Sequence, residues 1–266
     1  MKPSLAMVAN KIFSVEWNRN VAAVQHQLLP ATTDFVFPDL PEIFSDNDRA
    51  DFSDKTRPQQ RVYTIATCHH ASTESLLKSV SHIDPESKIL LVSGNNSGSN
   101  TMSSIDAAKI LQNEIENSLY GVANPNDPSS VELFEKKLQA GMSGFITQPL
   151  LSTHAIDTMQ TYRDQATNDV AILAGLAFPK TVRGLRFWAK LLEQEQELEN
   201  DALFQRHVAY FLQPNVKPID WIEKELHDIL DLSNTEGDSC TDGIHFMPLK
   251  NTNDLCSIFQ SLNDES

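Results

Sequence analysis

Eight short apolar runs, rich in β-branched and aromatic residues and spread along nearly the whole chain, constrain the fold more than any other feature. They are IFSVEW (12–17), DFVFP (34–38), VYTIAT (62–67), KILLVSG (88–94), LYGVA (119–123), GFITQP (144–149), VAILAGL (170–176) and GIHFMPL (243–249). Several are almost continuously apolar, the pattern of parallel strands covered on both faces. Amphipathic segments with helical spacing lie between them. In SSVELFEKKLQAG, Ser129 and Glu132 have capping-box spacing, Val131, Phe134 and Leu138 form an apolar stripe, and Gly141 is a natural stop. STESLLKSV repeats the device, with Ser72 or Thr73 as the cap and Leu76, Leu77 and Val80 facing inward. SIDAAKILQNEI follows the fourth run in the same way. Eight strands alternating with helices in 266 residues predict an α/β fold, a (β/α)8 TIM barrel, read as a single domain over 1–266.

Two segments break the rhythm. PDLPEIFSDNDRADFSDKTRPQQ (38–60) is polar and punctuated by prolines, which predicts a long loop with at most a short helix. Between the seventh and eighth runs, TVRGLRFWAKLLEQEQELENDALFQRHVAYFL and PIDWIEKELHDILDL predict a helical insertion before the last strand. No repeat of solenoid length is visible.

Composition then removes whole classes of function. Hydrophobic content of 40% with 21% charged residues is ordinary for a soluble globular chain. The 21 basic and 36 acidic residues give a formal charge of -15, a field that repels nucleic acid and anionic membranes, so neither is expected as a partner. Much of the acidic excess sits in solvated stretches such as EQEQELEND and NDES. Cys68, Cys240 and Cys256 are scattered and odd in number, with no CxxC pair, so neither a disulfide framework nor a cysteine-rich zinc site is supported. The apolar stretch near the start is broken by Asn10 and Lys11 and is too weak for a secretory signal. No run reaches membrane-span length, and the expected location is cytoplasmic. Homo-oligomerisation is compatible with the sequence.

In a barrel of this kind the chemistry sits at the C-terminal ends of the strands. Those ends present Glu16, then Thr67 with Cys68, His69 and His70, then Ser93 to Asn96, Asn124, Gln148 and His245. Glu16 stands between Val15 and Trp17, and a carboxylic acid held beside an indole in a poorly solvated pocket keeps its proton to higher pH. Such a group can act as a general acid. The alternative is a strand residue facing solvent or pairing with Arg19. Gln148 can donate and accept at the polar edge of a heterocycle, or serve as an ordinary loop residue. The Thr-Cys-His-His cluster offers metal-ligand types. Adjacent residues on an extended chain alternate in direction, however, so they do not converge on one ion and no metal is expected. His245, in an apolar setting, reads as a satisfied core histidine. The loop Gly94 to Asn100 has glycines but no Lys, Arg or acid, unlike a phosphate cradle built on cations or a helix N-terminus. No GxSxG, HExxH, Walker-type or GxGxxG motif is present.

Taken in order, these segments resemble the methylenetetrahydrofolate reductase family. FSVEW is similar to that family's strand ending in Ser-Phe-Glu-Phe, IATCHHASTESLLKSV to its His-Leu-Thr-Cys strand and following helix, and ILLVSGN to the strand ending in Arg-Gly-Asp. YGVANPNDPSSVELFEKKLQAGMSGFITQPLLS carries the most specific likeness, AILAGL resembles a later strand, and GIHFMPLKNTNDL resembles the last. The resemblance implies a (β/α)8 barrel in which NAD(P)H reduces FAD, and the flavin passes hydride to 5,10-methylenetetrahydrofolate. It implies Glu16 as catalytic proton donor and Gln148 and Asn95 as substrate-binding residues. Thr67, Gly94, Asn124 and Lys137 would lie on the cofactor side, and the partner would be a folate-type small molecule. The departures cluster at flavin contacts. Ser93-Gly94-Asn95 stands for Arg-Gly-Asp, Ile65 for a His, Asn124 for a Tyr and Asp127 for a His, while FVFPDL replaces Thr-Tyr-Gly-Ala. Loss of the Arg removes a charge-assisted bond of about 1.5–3 kcal/mol, and Asn for Asp removes a charge that tunes the flavin. With these departures, the resemblance implies NADH or NADPH as reductant with FAD weakly bound or absent. A non-catalytic folate-binding or regulatory partner, or a barrel with another small-molecule activity, are the competing readings.

Overall fold

The computed structural model describes residues 11–17, 21, 33–39, 45–93, 101–233, 238–248 and 252–264. Eight parallel strands close into a barrel in sequence order, β1 pairing with both β2 and β8. They are β1 (Ile12–Glu16), β2 (Asp34–Phe37), β3 (Arg61–Ala66), β4 (Lys88–Val92), β5 (Leu119–Ala123), β6 (Gly144–Pro149), β7 (Ala171–Ala177) and β8 (Gly243–Met247). Every predicted run is a strand, and the (β/α)8 TIM barrel is the fold. Among the described residues the helices between and after the strands are α1 (Asp46–Lys55), α2 (Thr73–Val80), α3 (Ser104–Leu111), α4 (Ser130–Gln139), α5 (Thr153–Gln165), α6 (Val182–Leu191), α7 (Glu195–Glu199), α8 (Ala202–Phe211), α9 (Pro218–Leu230) and α10 (Thr252–Asp264). Helices α6 to α9 make up the helical insertion expected before the last strand. No helix among the described residues is long and apolar enough to cross a membrane.

Side chains alternate along each strand, so one set fills the barrel and the other meets the helices. On β1, Phe13 points out and packs its ring against Phe246 and Phe259, with centroids 5.9 Å away in each case. Ser14 and Glu16 take the opposite face. Just beyond the strand, Trp17 joins Phe37, Phe52 and Tyr63 in an aromatic cluster with neighbouring centroids 5.1–5.6 Å apart.

That cluster explains why 45–60, within the segment 38–60, carries a ten-residue helix where a loop with at most a short helix was expected. Residues Asp46–Lys55 form α1, although the segment has almost no apolar stripe. Its fully buried ring is Phe52, which contributes about 2–3 kcal/mol by leaving water. The entry is fixed by Asp48, whose Oδ2 accepts from the Ser45 backbone N–H (2.9 Å) and hydroxyl (2.7 Å).

Cap chemistry elsewhere follows the sequence in part. Ser72 accepts from the Ser75 N–H to start α2, and Gly141 ends the turn after α4 at φ +89°, where a side chain would be strained. Ser129 precedes α4 but makes no cap bond, because its N–H and hydroxyl both donate to Asp127 Oδ1.

Candidate functional site

Glu16 ends β1 and turns into the barrel at its C-terminal mouth, with Val36 of β2 beside it in the ladder. Burial alone pushes its carboxyl up to about 7. Among the described residues it has no hydrogen-bond or ion-pair partner, so nothing offsets the cost of ionising it. The direction matches the sequence expectation, but the cause does not. The Trp17 indole lies on the opposite face, against Phe37 and Phe52, and desolvation comes from the barrel mouth itself. Arg19, the alternative ion-pair partner, lies outside the described residues.

One layer below, Ser14 Oγ lies 2.8 Å from His245 Nδ1, across the β1–β8 pairing that aligns the two residues. His245 is fully desolvated and its pKa drops to about 3, which keeps it neutral. It is the core histidine the sequence suggested. Ser14 was not singled out beforehand; its signal was its place two residues before Glu16, on the same strand face.

Gln148 reaches the mouth by a distortion of β6. The β6–β7 register shifts between Ile146 and Pro149. This presses the Thr147–Gln148 backbone onto Gly175, where a Cβ would sit 2.4 Å from the Thr147 carbonyl oxygen. Gly175 is needed there because nothing larger admits the bulge. The Gln148 side chain is partly exposed and, among the described residues, its amide makes no hydrogen bond.

Asn126, missed from the sequence, holds this loop. Its Nδ2 donates to Pro149 O (2.8 Å), and its Oδ1 accepts from Leu151 N (3.0 Å) and Ser152 Oγ (3.2 Å). The only cue was an Asn in the turn-forming Asn-Pro-Asn-Asp stretch after β5. Replacing Asn126 by Ala leaves buried backbone groups unpaired, and Asn126→Ala is expected to cost about 2–4 kcal/mol. Urea unfolding should show this as a lower midpoint at unchanged slope.

The residues on the expected cofactor side are differently disposed. Thr67 Oγ1 donates to the carbonyls of Met102 (2.8 Å) and Val92 (3.2 Å). Lys137 is buried, its ammonium donates to the Val122 carbonyl, and burial lowers its pKa to about 8. Asn124 Oδ1 accepts from the N–H and Nδ2 of Asn126, both at 3.2 Å. Gly94 and Asn95 lie outside the described residues. Ser93, where the resemblance has an Arg, is exposed and donates to Ser104 Oγ (3.1 Å).

Thr67–His69 form a 3-10 turn rather than the extended chain assumed from sequence, and no cluster of three His, Cys, Asp or Glu among the described residues could hold a metal. Asp39 Oδ2 accepts from the Ala66 N–H (2.8 Å) at this same end.

No family model matches the sequence, and no curated protein does. Among solved structures, an uncharacterized protein from Clostridium thermocellum that binds two copies of 5-methyl-5,6,7,8-tetrahydrofolic acid aligns with a TM-score of 0.56 at 16% identity, over 97% of each chain. A cube-shaped, highly porous cage designed by fusing symmetric oligomeric domains aligns at a TM-score of 0.37 and 10% identity, over 97% of this chain and 94% of that one; a likeness that weak carries no argument. At these identities, what the first alignment shows is the barrel fold.

Proposed function

We propose that the C-terminal mouth of the barrel binds a reduced folate, and that the protein is an oxidoreductase of the methylenetetrahydrofolate reductase type. One observation carries this reading. Glu16 and Gln148, the two described residues that the resemblance assigns to the folate, have unspent polar groups at the mouth, whereas Thr67 and Lys137 direct theirs to backbone carbonyls and the Asn124 oxygen is taken by Asn126. The Clostridium thermocellum protein, which binds 5-methyltetrahydrofolate on the same fold, adds support.

The described residues do not fit a flavin cradle. Lys137 and Thr67 are turned to backbone carbonyls, and Ser93 offers no cation. The reaction is therefore written without the flavin. The protonated Glu16 carboxyl gives its proton to N10 of 5,10-methylenetetrahydrofolate, and the bond between N10 and the bridging methylene breaks. The electron pair on N5 forms a methylene iminium, which accepts hydride from NADH or NADPH to give 5-methyltetrahydrofolate and NAD(P)⁺. Gln148 orients the pterin edge, a part that the resemblance also assigns to the uncharged Asn95.

The test is calorimetric titration of the purified protein with 5-methyltetrahydrofolate, its visible spectrum, and NAD(P)H oxidation driven by 5,10-methylenetetrahydrofolate. Saturable binding, a colourless protein and folate-dependent oxidation are expected. Neither binding nor turnover would sink the folate reading. Binding without turnover would establish the non-catalytic folate-binding alternative, which the neutral Ser93 favours. A flavin spectrum would return the protein to the family's ordinary mechanism.

A further inference from the structure

The opposite, N-terminal mouth of the barrel holds a pocket of about 440 Å³, within the range of small-molecule sites. Its floor comes from the beginnings of four strands, through Ile12, Asp34, Lys88 and Tyr120, and its rim from Arg57 and Gln59 in the turn before β3. Asp34 and Lys88 neutralise one another: the ammonium lies 2.8 and 2.7 Å from the two carboxylate oxygens and also donates to Gln59 O (3.1 Å). Barrel bottoms commonly carry stabilising contacts, and that role accounts for the ion pair.

It does not account for Tyr120. The residue is 6% exposed, yet among the described residues its hydroxyl has no hydrogen-bond partner. The hydroxyl is not one of the fully buried unpaired polar atoms, so it opens into the pocket, where a ligand or water can accept from it. Its ring lies over Gly144, where a Cβ would sit 2.4 Å from Cζ, so Gly144 makes room for the ring in the barrel floor. Burial and the charge of Asp34 both hold the phenol protonated well above the usual range, leaving it a donor at any working pH. At the rim, Arg57 is exposed and, among the described residues, has no ion-pair partner or hydrogen-bond acceptor. With Asp34 and Lys88 cancelling, Arg57 leaves the lining with one net positive charge in a protein whose overall charge is -15.

We propose that this mouth is a second small-molecule site, taking a metabolite that presents a carboxylate or phosphate to Arg57 and a hydroxyl to Tyr120 and the Asp34–Lys88 pair. Guanidinium suits either anion through two parallel bonds, so the anionic group is the shared chemistry. The site lies at the other end of the barrel from Glu16 and Gln148 and does not depend on the folate reading.

The test is calorimetric titration of the full chain with two probes, 4-hydroxybenzoate for a carboxylate and glycerol 3-phosphate for a phosphate. Each is run against wild type, Arg57→Ala and Tyr120→Phe. One probe is expected to bind with one-to-one stoichiometry and to weaken about tenfold or more in Arg57→Ala, the loss of one charge-assisted interaction. Tyr120→Phe should weaken it several-fold, and Arg57→Ala should leave 5-methyltetrahydrofolate titrations unchanged. The Arg57 side chain holds nothing in the fold, so that variant remains informative if Tyr120→Phe proves unstable. No binding of either probe at millimolar concentration, or equal binding by wild type and Arg57→Ala, would overturn the proposal.

Discussion

Gly243→Ala is expected to yield no soluble, folded protein. Residues 241–243 close the barrel by joining β7 to β1. Asp242 donates its N–H to Ile172 O (2.8 Å), accepts from Ile172 N on its carboxylate (2.8 Å), and accepts from Ile12 N on its carbonyl (2.9 Å). Gly243 then faces Ile12 in register. A Cβ there would sit 1.7 Å from the Ile12 carbonyl oxygen and 2.6 Å from its carbon. Both are backbone atoms, so no rotamer change relieves the clash, and the β1–β8 ladder must separate. Losing one ladder opens the whole barrel, which puts the cost above about 4–5 kcal/mol, a large share of a domain's stability. Gly184→Ala provides the contrast. Gly184 lies in α6, its added Cβ would meet nothing closer than 3.5 Å, and alanine there is expected to stabilise by about 0.5–1 kcal/mol. Soluble yield and urea midpoints of the two variants measure both effects; folded Gly243→Ala with a midpoint near wild type would contradict this account of closure.

The same closure shows why the strands were readable in advance and the seam was not. Parallel strands covered on both faces must be apolar almost throughout, so LYGVA and GFITQP coincide with β5 and β6 residue for residue. The seam is a matter of backbone distance at one glycine, which no hydrophobic pattern encodes. Helix α1 was hidden for the opposite reason. DNDRADFSDK has no stripe because a single ring, Phe52, anchors it, and its visible cue was only the Ser45 and Asp48 spacing.

At the candidate site, the placing of Glu16 and Gln148 at the C-terminal ends of strands was legible because they are polar residues ending apolar runs. Asn124 bonds in a local turn to Asn126, two residues on. The internal bonds of Thr67 and Lys137 were not legible, since each runs to a backbone carbonyl brought to it only by tertiary structure. Asn126 was missed on the same ground: its partners, Pro149 and Leu151, are brought to it by the bulge in β6.

Glu16→Gln is the variant on which the proposed chemistry stands. Glutamine keeps the shape and the hydrogen-bonding ends but has no proton to give, so turnover should fall by about 10²–10⁴-fold. Affinity for 5-methyltetrahydrofolate should change little, because that product needs no proton donor. The wild-type rate should decline as pH rises through about 7, where the Glu16 carboxyl ionises, and the residual rate of Glu16→Gln should lack that limb. Stability supplies a second readout, in which the substitution acts in the opposite direction. Because burial raises the folded pKa from 4.5 to about 7, the folded state holds more protons than the unfolded state in that window. Stability from this group is therefore present below pH 4.5 and lost as pH climbs to 7. Glu225, buried on α9 and also raised to about 7, adds a slope of the same sign, and His207, lowered to about 4, opposes both at the acid end. The difference between wild type and Glu16→Gln cancels those contributions. The variant should be at least as stable as wild type above pH 7, which separates a lost proton donor from a damaged fold. An acid kept in a desolvated mouth at the expense of stability is the usual mark of a functional group. If Glu16→Gln turns over at the wild-type rate with the same pH limb, Glu16 is not the proton donor, and the reductase chemistry must be assigned elsewhere or abandoned.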